Sequence, residues 1–150
     1  MSFTLSVPPA YGFVILGTGL GSFVANMMMS GKVMSAREQY KVEYPNLYAV
    51  PGFHKQADEF NRVQRGHQNY LEGVDSYVVM TLLGGLKFPI ACAVGTVFYF
   101  LGCILYAKGY SDNSVDVKVA RHKKGGPIKY IGLLTSLISM CSLAYSVITA

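Results

Sequence analysis

Residues 88–107, FPIACAVGTVFYFLGCILYA, contain no Asp, Glu, Lys or Arg. A helix needs about 20 mainly apolar residues to cross about 30 Å of hydrocarbon, so this block is long enough to span a membrane. Residues 1–31 and 130–150 are equally free of those four residue types. A soluble domain would alternate charged and apolar faces, and the segregation therefore predicts an integral membrane protein of the all-α class.

A fourth span is less obvious. Residues 73–86 are mainly apolar but short, and they carry Asp75. They reach a spanning length only if the helix begins near Phe60. We therefore predict one domain of 150 residues, a left-handed, up-and-down four-helix membrane bundle. Its spans are expected at about residues 11–36, 60–86, 88–110 and 128–149.

The ends of these spans follow from local signals. The first block has no basic residue before it and is followed by further apolar blocks, so we interpret it as an uncleaved span rather than a secretory signal. Its helix is expected to continue to about Tyr40. Pro89 suits the first turn of the third helix. Residues 111–127 are polar and basic and are predicted to form a loop. The blocks lack the alternation of membrane strands.

The net charge of +5 is concentrated in two regions. Residues 32–65 and 108–129 each hold six Lys or Arg, whereas the connection between the second and third spans has only Lys87. The positive-inside tendency then places both basic loops in the cytosol and both termini in the lumen. A basic rim suits an anionic ligand, although topogenic charge and lipid headgroup contact explain most of these residues.

The cysteines indicate packing rather than chemistry. Cys92, Cys103 and Cys141 all lie within predicted spans, without CxxC spacing or a nearby His. Neither a metal site nor a disulfide framework is expected. The sequence also contains no Gly-rich phosphate loop, GxSxG or HExxH motif, and we expect no nucleic-acid partner. Gly17 and Gly21 form a small-xxx-small pair that would allow two helices to approach closely.

Helix two carries the most informative polar residues. At 100° per residue, Arg65, Asn69 and Glu72 fall within about 60° of each other on one face. Burying charges near hydrocarbon costs several kcal/mol unless they are paired or hydrated, so this face should meet the bundle interior, a subunit interface or a wet cavity. One interpretation is a structural Arg–Glu pair. The other is a ligand site for a zwitterionic peptide, with Arg for a carboxylate, Asn for amides and Glu for an ammonium group.

Two further groups could complete such a site. Tyr106 and Tyr110 are four residues apart at the cytosolic end of helix three, either as interfacial anchors or as hydrogen-bond donors to a ligand. Arg37 lies at the same end of helix one. The loop after Tyr110 supplies cations, and a cation beside a bound thiol lowers the pKa of that thiol. The loop cations are Lys118, Arg121, Lys123 and Lys124.

These motifs resemble a known family. FNRVQRGHQNYLE at residues 60–72 closely resembles the helix-two signature of the MAPEG proteins (membrane-associated proteins in eicosanoid and glutathione metabolism). YGFV at 11–14, AREQYKVEYP at 36–45 and YAKGY at 106–110 resemble the same family in order and spacing. The best match is the microsomal glutathione S-transferase 3 branch. The resemblance implies a homotrimer with glutathione bound between neighbouring subunits near the cytosolic side. It also implies an endoplasmic reticulum membrane, with the mitochondrial outer membrane as the alternative.

The resemblance also assigns roles to individual residues. It implies a glutathione-binding set within one subunit, to which the neighbouring subunit adds Arg37 and His67. The set within one subunit is Arg65, Asn69, Glu72, Tyr106 and Tyr110. The family places a thiolate-stabilising Arg shortly after the second tyrosine. Spacing from Tyr110 leads to Val117, and alignment from helix four leads to Lys123 and Lys124. Arg121 matches by residue type, and we predict this residue as catalytic, with those two lysines as further candidates.

The chain departs from the family pattern at three positions of helix two. Asp75 stands where a proline is usual, which makes a proline kink doubtful. Gly73 replaces a tyrosine of the leukotriene C4 synthase branch, and His67 replaces a glutamine of that branch. The loss of the tyrosine argues against that narrow specificity.

The predicted activity is glutathione conjugation to lipophilic electrophiles, or glutathione-dependent reduction of lipid hydroperoxides, with glutathione as co-substrate and no metal. The alternative is a non-catalytic lipid-binding scaffold like 5-lipoxygenase-activating protein. The intact set of Arg65, Asn69 and Glu72 argues against it, because a scaffold needs no glutathione pocket. An ordinary four-span structural protein is the third hypothesis.

Overall fold

The computed structural model describes residues 6–150, and every regular element among them is helical. The all-α prediction is confirmed. Residues 1–5, part of the predicted lumenal tail, lie outside the described residues. The helices are α1 (Tyr11–Tyr40), α2 (Ala57–Lys87), α3 (Pro89–Tyr110), α4 (Val117–Lys123) and α5 (Lys129–Ile148). A single 3₁₀ turn, Gly126–Ile128, leads directly into α5.

Three of the helical segments are long and apolar enough to cross a membrane. They are Tyr11–Tyr40, Pro89–Tyr110 and Gly126–Ile148. They correspond to the three charge-free blocks. Helix α2 is similar in length to α1. Because its first half carries charged residues, it is not among the helices that are apolar enough to cross a membrane. Its crossing of the membrane stays a prediction.

The connection between α2 and α3 is very short. Only Phe88 separates the two helices, and its N–H donates to the main-chain oxygen of Gly84 at 2.9 Å. Pro89 occupies the first turn of α3, as predicted. A proline there costs nothing, because the N–H it lacks would have no partner within the helix.

Glycines set the close approach of α1 to α3. A Cβ added to Gly17 would lie 2.5 Å from Oγ1 of Thr96, and one added to Gly21 would lie 2.4 Å from the Phe100 ring. Neither position has room for a methyl group, so the small-xxx-small prediction is confirmed. Tyr77 of α2 stacks on Tyr99 of α3 behind this contact, with ring centroids 3.5 Å apart.

Helices α2 and α5 meet through small and polar side chains. The buried hydroxyls of Thr81 and Ser136 are 2.8 Å apart, and Thr81 also donates to the main-chain oxygen of Tyr77. A Cβ on Gly84 would lie 2.6 Å from Cβ of Ser139. Lipid chains are as apolar as the helix surfaces, so helices in a membrane are held together by close packing and interhelical hydrogen bonds.

The prediction that residues 111–127 form only a loop is wrong. Helix α4 occupies the middle of this segment, and Asp116 caps it by accepting a hydrogen bond from Lys118 N at 2.8 Å. Ala120 of α4 is fully buried, and a Cβ on Gly109 would lie 2.6 Å from its carbonyl oxygen. Asp116 is a favourable residue at a helix N-terminus and was the sequence signal for α4. A helix this short nevertheless depends on tertiary packing for its stability.

Candidate functional site

Arg65 and Glu72 form an ion pair on one face of α2. Nη1 of Arg65 lies 2.7 Å from Oε1 of Glu72, and the side chains are 46% and 45% exposed. Seven residues are about two helical turns, which explains why the two side chains meet. An ion pair with this exposure contributes only about 0–1 kcal/mol to stability. Each partner is therefore available to exchange the other for a ligand group.

Asn69 lies between the two members of this pair and contacts a different helix. Its Oδ1 accepts a hydrogen bond of 2.9 Å from Nζ of Lys129, the first residue of α5. The same ammonium lies 4.3 Å from the centroid of the Tyr106 ring, a cation–π contact. Lys129 is thus a residue of the candidate site that the sequence analysis missed, since it was counted only as one of the basic residues at the membrane rim. Its place directly before a charge-free block was the only signal.

Tyr106 and Tyr110 share a face of α3, as their spacing requires. Their rings are nearly parallel, with centroids 6.0 Å apart and an interplanar angle of 4°. Nε of Arg62 donates to the main-chain oxygen of Tyr110 at 2.8 Å, which ties the end of α3 to α2. The two tyrosines therefore lie beside the polar face of α2.

The three predicted catalytic cations are exposed and differ in their surroundings. Nε of Arg121 donates to Nε2 of His122 at 3.2 Å, and the Arg121 side chain lies near the Tyr106 hydroxyl. Lys124 forms a 2.6 Å ion pair with Asp112. This ammonium and the Ser114 hydroxyl hold the pKa of the Asp112 carboxyl below its usual range. Arg121 is thus a candidate with a side-chain contact to Tyr106.

Arg37 and His67 make other contacts within the chain. Nη1 of Arg37 donates to the main-chain oxygen of Asn46 at 2.9 Å, and the guanidinium lies 4.3 Å from the Tyr44 ring centroid. Nε2 of His67 lies 2.9 Å from Oδ1 of Asn26 on α1. Within residues 6–150, neither joins the Arg65–Glu72 pair by a hydrogen bond. Their assignment to a neighbouring subunit's site stays a prediction.

A polar cavity opens beside Arg65 and Tyr110. Its volume is about 880 Å³, within the range of small-molecule sites. It lies between the first turns of α2 and the segment that follows α3. Its walls also include Tyr48, Asp58, Asn61, Arg62 and residues 113–118.

All three cysteines are free thiols. Cys92 and Cys103 are buried in the packed interior, and Cys141 is exposed on α5. Among the residues that the structure describes, His, Cys, Asp and Glu form no cluster of three that could hold a metal ion.

A protein-family model matches most of the chain. The model of the MAPEG family matches residues 15–147, which include nearly all of the four long helices. This family includes glutathione transferases and related non-catalytic proteins. With its three apolar helices and this match, the chain is an integral membrane protein that belongs to the MAPEG family.

Proposed function

We propose that the protein is a membrane glutathione transferase of the microsomal glutathione S-transferase 3 type, with glutathione peroxidase activity toward lipid hydroperoxides. The observation that carries the proposal is the alignment of Arg65, Asn69 and Glu72 on one face of α2, beside the tyrosines of α3. This set combines a cation, an amide and a carboxylate within two helical turns.

The charge pattern supports a zwitterionic ligand. Arg65 binds a carboxylate through parallel N–H donors, and Glu72 accepts hydrogen bonds from an ammonium group. A ligand with both groups replaces each member of the ion pair by an equivalent partner. A simple anion would leave Glu72 without its cation, and a simple cation would leave Arg65 without its anion. Glutathione has both groups and amides between them, for which Asn69 provides a partner.

The proposed chemistry needs only the bound thiol and a nearby cation. The thiol loses its proton to solvent, and the thiolate sulfur bonds to an electrophilic carbon while the leaving group departs with its electron pair. With a lipid hydroperoxide, the thiolate sulfur bonds to the terminal oxygen, which carries the hydrogen, and the O–O bond breaks. The lipid alkoxide takes up a proton. The resulting glutathione sulfenic acid condenses with a second glutathione to give the disulfide and water. Arg121, Lys123 and Lys124 are the candidates for the cation from the sequence.

Exposed charges on α2 support an oligomer. If α2 spans the membrane together with the three apolar helices, Glu72 and Asp75 are exposed on a helix within the membrane. Charged groups facing lipid are costly. A neighbouring subunit that covers this face removes that cost, and the proposed homotrimer provides one. The neighbour would then contribute Arg37 and His67 to the site. We propose an endoplasmic reticulum location with cytosolic basic loops and lumenal termini.

A purified sample in detergent tests the enzymatic proposal. Calorimetry measures glutathione binding, and turnover is followed with a lipophilic electrophile and with a lipid hydroperoxide. Arg65→Ala should weaken binding by about 10- to 100-fold, because a hydrogen bond to a charged group contributes about 1.5–3 kcal/mol. Lys108→Ala, at an exposed cation outside the site, should bind normally. A wild-type protein that neither binds glutathione nor turns over would contradict the proposal.

One observation favours the scaffold as the second candidate. An apolar groove of about 730 Å³ runs between α1 and α3, and Leu16, Leu20, Val94 and Val97 contribute to its walls. Such a groove fits an acyl chain. Binding of a fatty acid without binding of glutathione would support the scaffold, whereas binding of both would support the enzyme.

A further inference from the structure

Lys129 extends from the first turn of α5 to the polar face of α2. Its ammonium is held from two sides, by Oδ1 of Asn69 at 2.9 Å and by the face of the Tyr106 ring at 4.3 Å. The side chain is partly buried. It therefore joins α2, α3 and α5 at one point.

The backbone of Lys129 is fixed by a glycine on α3. A Cβ on Gly102 would lie 2.3 Å from N and 2.7 Å from Cα of Lys129. Because a methyl group cannot fit there, only glycine allows the start of α5 to pack directly against α3. This close approach sets the distance from which the four-carbon lysine stem reaches Asn69.

The ammonium lies at the middle of the proposed ligand site. Asn69 lies between Arg65 and Glu72 along α2, and these two would bind the charged ends of a zwitterionic peptide. In glutathione the thiol belongs to the central residue. A ligand held at both ends by this pair would thus present its thiol near Asn69 and near the ammonium bound to it.

Lys129 also differs from Lys124 in its partners and from Arg121 in its burial. Within residues 6–150 it forms no ion pair, and its one side-chain hydrogen bond goes to a neutral amide. Lys124 is paired with Asp112, and Arg121 is exposed and donates to His122. A positive charge that is partly buried and unpaired stabilises a nearby anion more strongly than an exposed or paired one.

From these contacts we infer that Lys129 is the catalytic cation that stabilises the glutathione thiolate. The inference rests on the proposed function and specifies its chemistry. The thiol proton leaves to solvent, the sulfur keeps the electron pair, and Lys129 stays protonated as the counter-ion. The hydrogen bond to Asn69 and the contact with Tyr106 position the ammonium. No proton passes through Lys129.

The test is a pH titration of the thiolate absorbance of bound glutathione in the intact, detergent-purified protein. Lys129→Met and Lys129→Gln should raise the apparent pKa of the bound thiol by about 1–3, the range expected for an adjacent unit charge. Glutathione affinity should change by less than about threefold, since Arg65 and Glu72 hold its ends. Lys129→Arg should keep the pKa low, and Lys108→Met serves as the matched control with wild-type behaviour.

Two results would overturn the inference. One is a low thiol pKa that persists in both neutral variants, especially if Arg121→Met raises it instead. The other is a large loss of glutathione affinity without a change in the thiol pKa, which would make Lys129 a carboxylate anchor. If a neutral variant fails to fold, the other one and Lys129→Arg still decide the question. Failure of the wild type to bind glutathione would contradict the proposed function itself. The binding measurement on the wild type therefore separates that outcome from a failure of the Lys129 inference.

Discussion

Arg62 of α2 donates a 2.8 Å hydrogen bond from Nε to the main-chain oxygen of Tyr110, the last residue of α3. Its Nη2 also donates to the main-chain oxygens of Asp112 and Val115, at 2.8 and 3.0 Å. One guanidinium thus provides partners for carbonyl groups at and beyond a helix end, where intrahelical donors are lacking. The connection that lines the polar cavity is held in place by this residue.

Replacing Arg62 should therefore loosen this connection. We expect Arg62→Lys to behave almost like Arg62→Ala, because a single ammonium cannot reproduce the planar fork that reaches three carbonyl groups. Each should cost about 1.5–3 kcal/mol of stability. Thermal unfolding in detergent measures the cost, and hydrogen exchange over residues 111–116 should increase. Unchanged exchange in that segment would show that other contacts hold it.

The contact between α1 and α3 predicts a strong effect of a single methyl group. Gly21→Ala should destabilise the protein by about 1–3 kcal/mol, because its Cβ would overlap the Phe100 ring. Gly19→Ala is the matched control, since nothing lies within 4 Å of a Cβ at that position. There the better helix propensity of alanine should leave stability equal or higher. Unfolding midpoints of the two variants give the comparison.

A second change checks that the effect of Gly21→Ala comes from the aromatic ring. Gly21→Ala should cost less stability in a Phe100→Leu background than in the wild type, because the smaller side chain leaves room for the methyl group. A double-mutant cycle gives the coupling energy. Strictly additive effects would show that the two side chains do not compete for the same space.

The Arg65–Glu72 pair predicts how the protein recognises an ammonium group. Glutathione with an acetylated amine should bind to the wild type about tenfold more weakly than glutathione, because Glu72 loses its cationic partner. In Glu72→Gln the two ligands should bind with similar affinity. Calorimetry with both ligands provides the measurement. Equal discrimination by the wild type and the variant would place the amine elsewhere.

The ion pair between Asp112 and Lys124 predicts an acid-sensitive connection. Because the native pKa of Asp112 is held below the ordinary value of 3.8, the carboxylate stabilises the folded form above that pH. This contribution is lost as the pH falls from 3.8 toward the lower native pKa. Protection of residues 111–116 from hydrogen exchange should fall in that range.

Two variants serve as controls for the acid sensitivity. Asp112→Asn and Lys124→Gln should each reduce it, since either change removes the pair. An unchanged response in Asp112→Asn would assign the effect to another carboxyl group. High salt should reduce the effect, because the pair is at the surface.

Much of the helical framework could be predicted from the sequence. Charge-free blocks identify α1, α3 and α5, and Pro89 marks the start of α3, because length, apolarity and proline geometry act locally. The common face of Arg65, Asn69 and Glu72 also follows from the chain alone, since the helical repeat fixes it. The small-residue pair Gly17 and Gly21 indicated a close contact, but it did not specify α3 as the partner.

Helix α4 and the contacts of Lys129 and Arg62 could not be predicted in the same way. Helix α4 is stabilised by burial of Ala120 against α3, which no local pattern reveals. Lys129 and Asn69 are 60 positions apart, and their contact requires the close approach of α5 to α3 at Gly102. The sequence by itself thus determined the four long helices and the polar face of α2. The tertiary structure decided which cation lies beside that face, because this depends on the distance between packed helices.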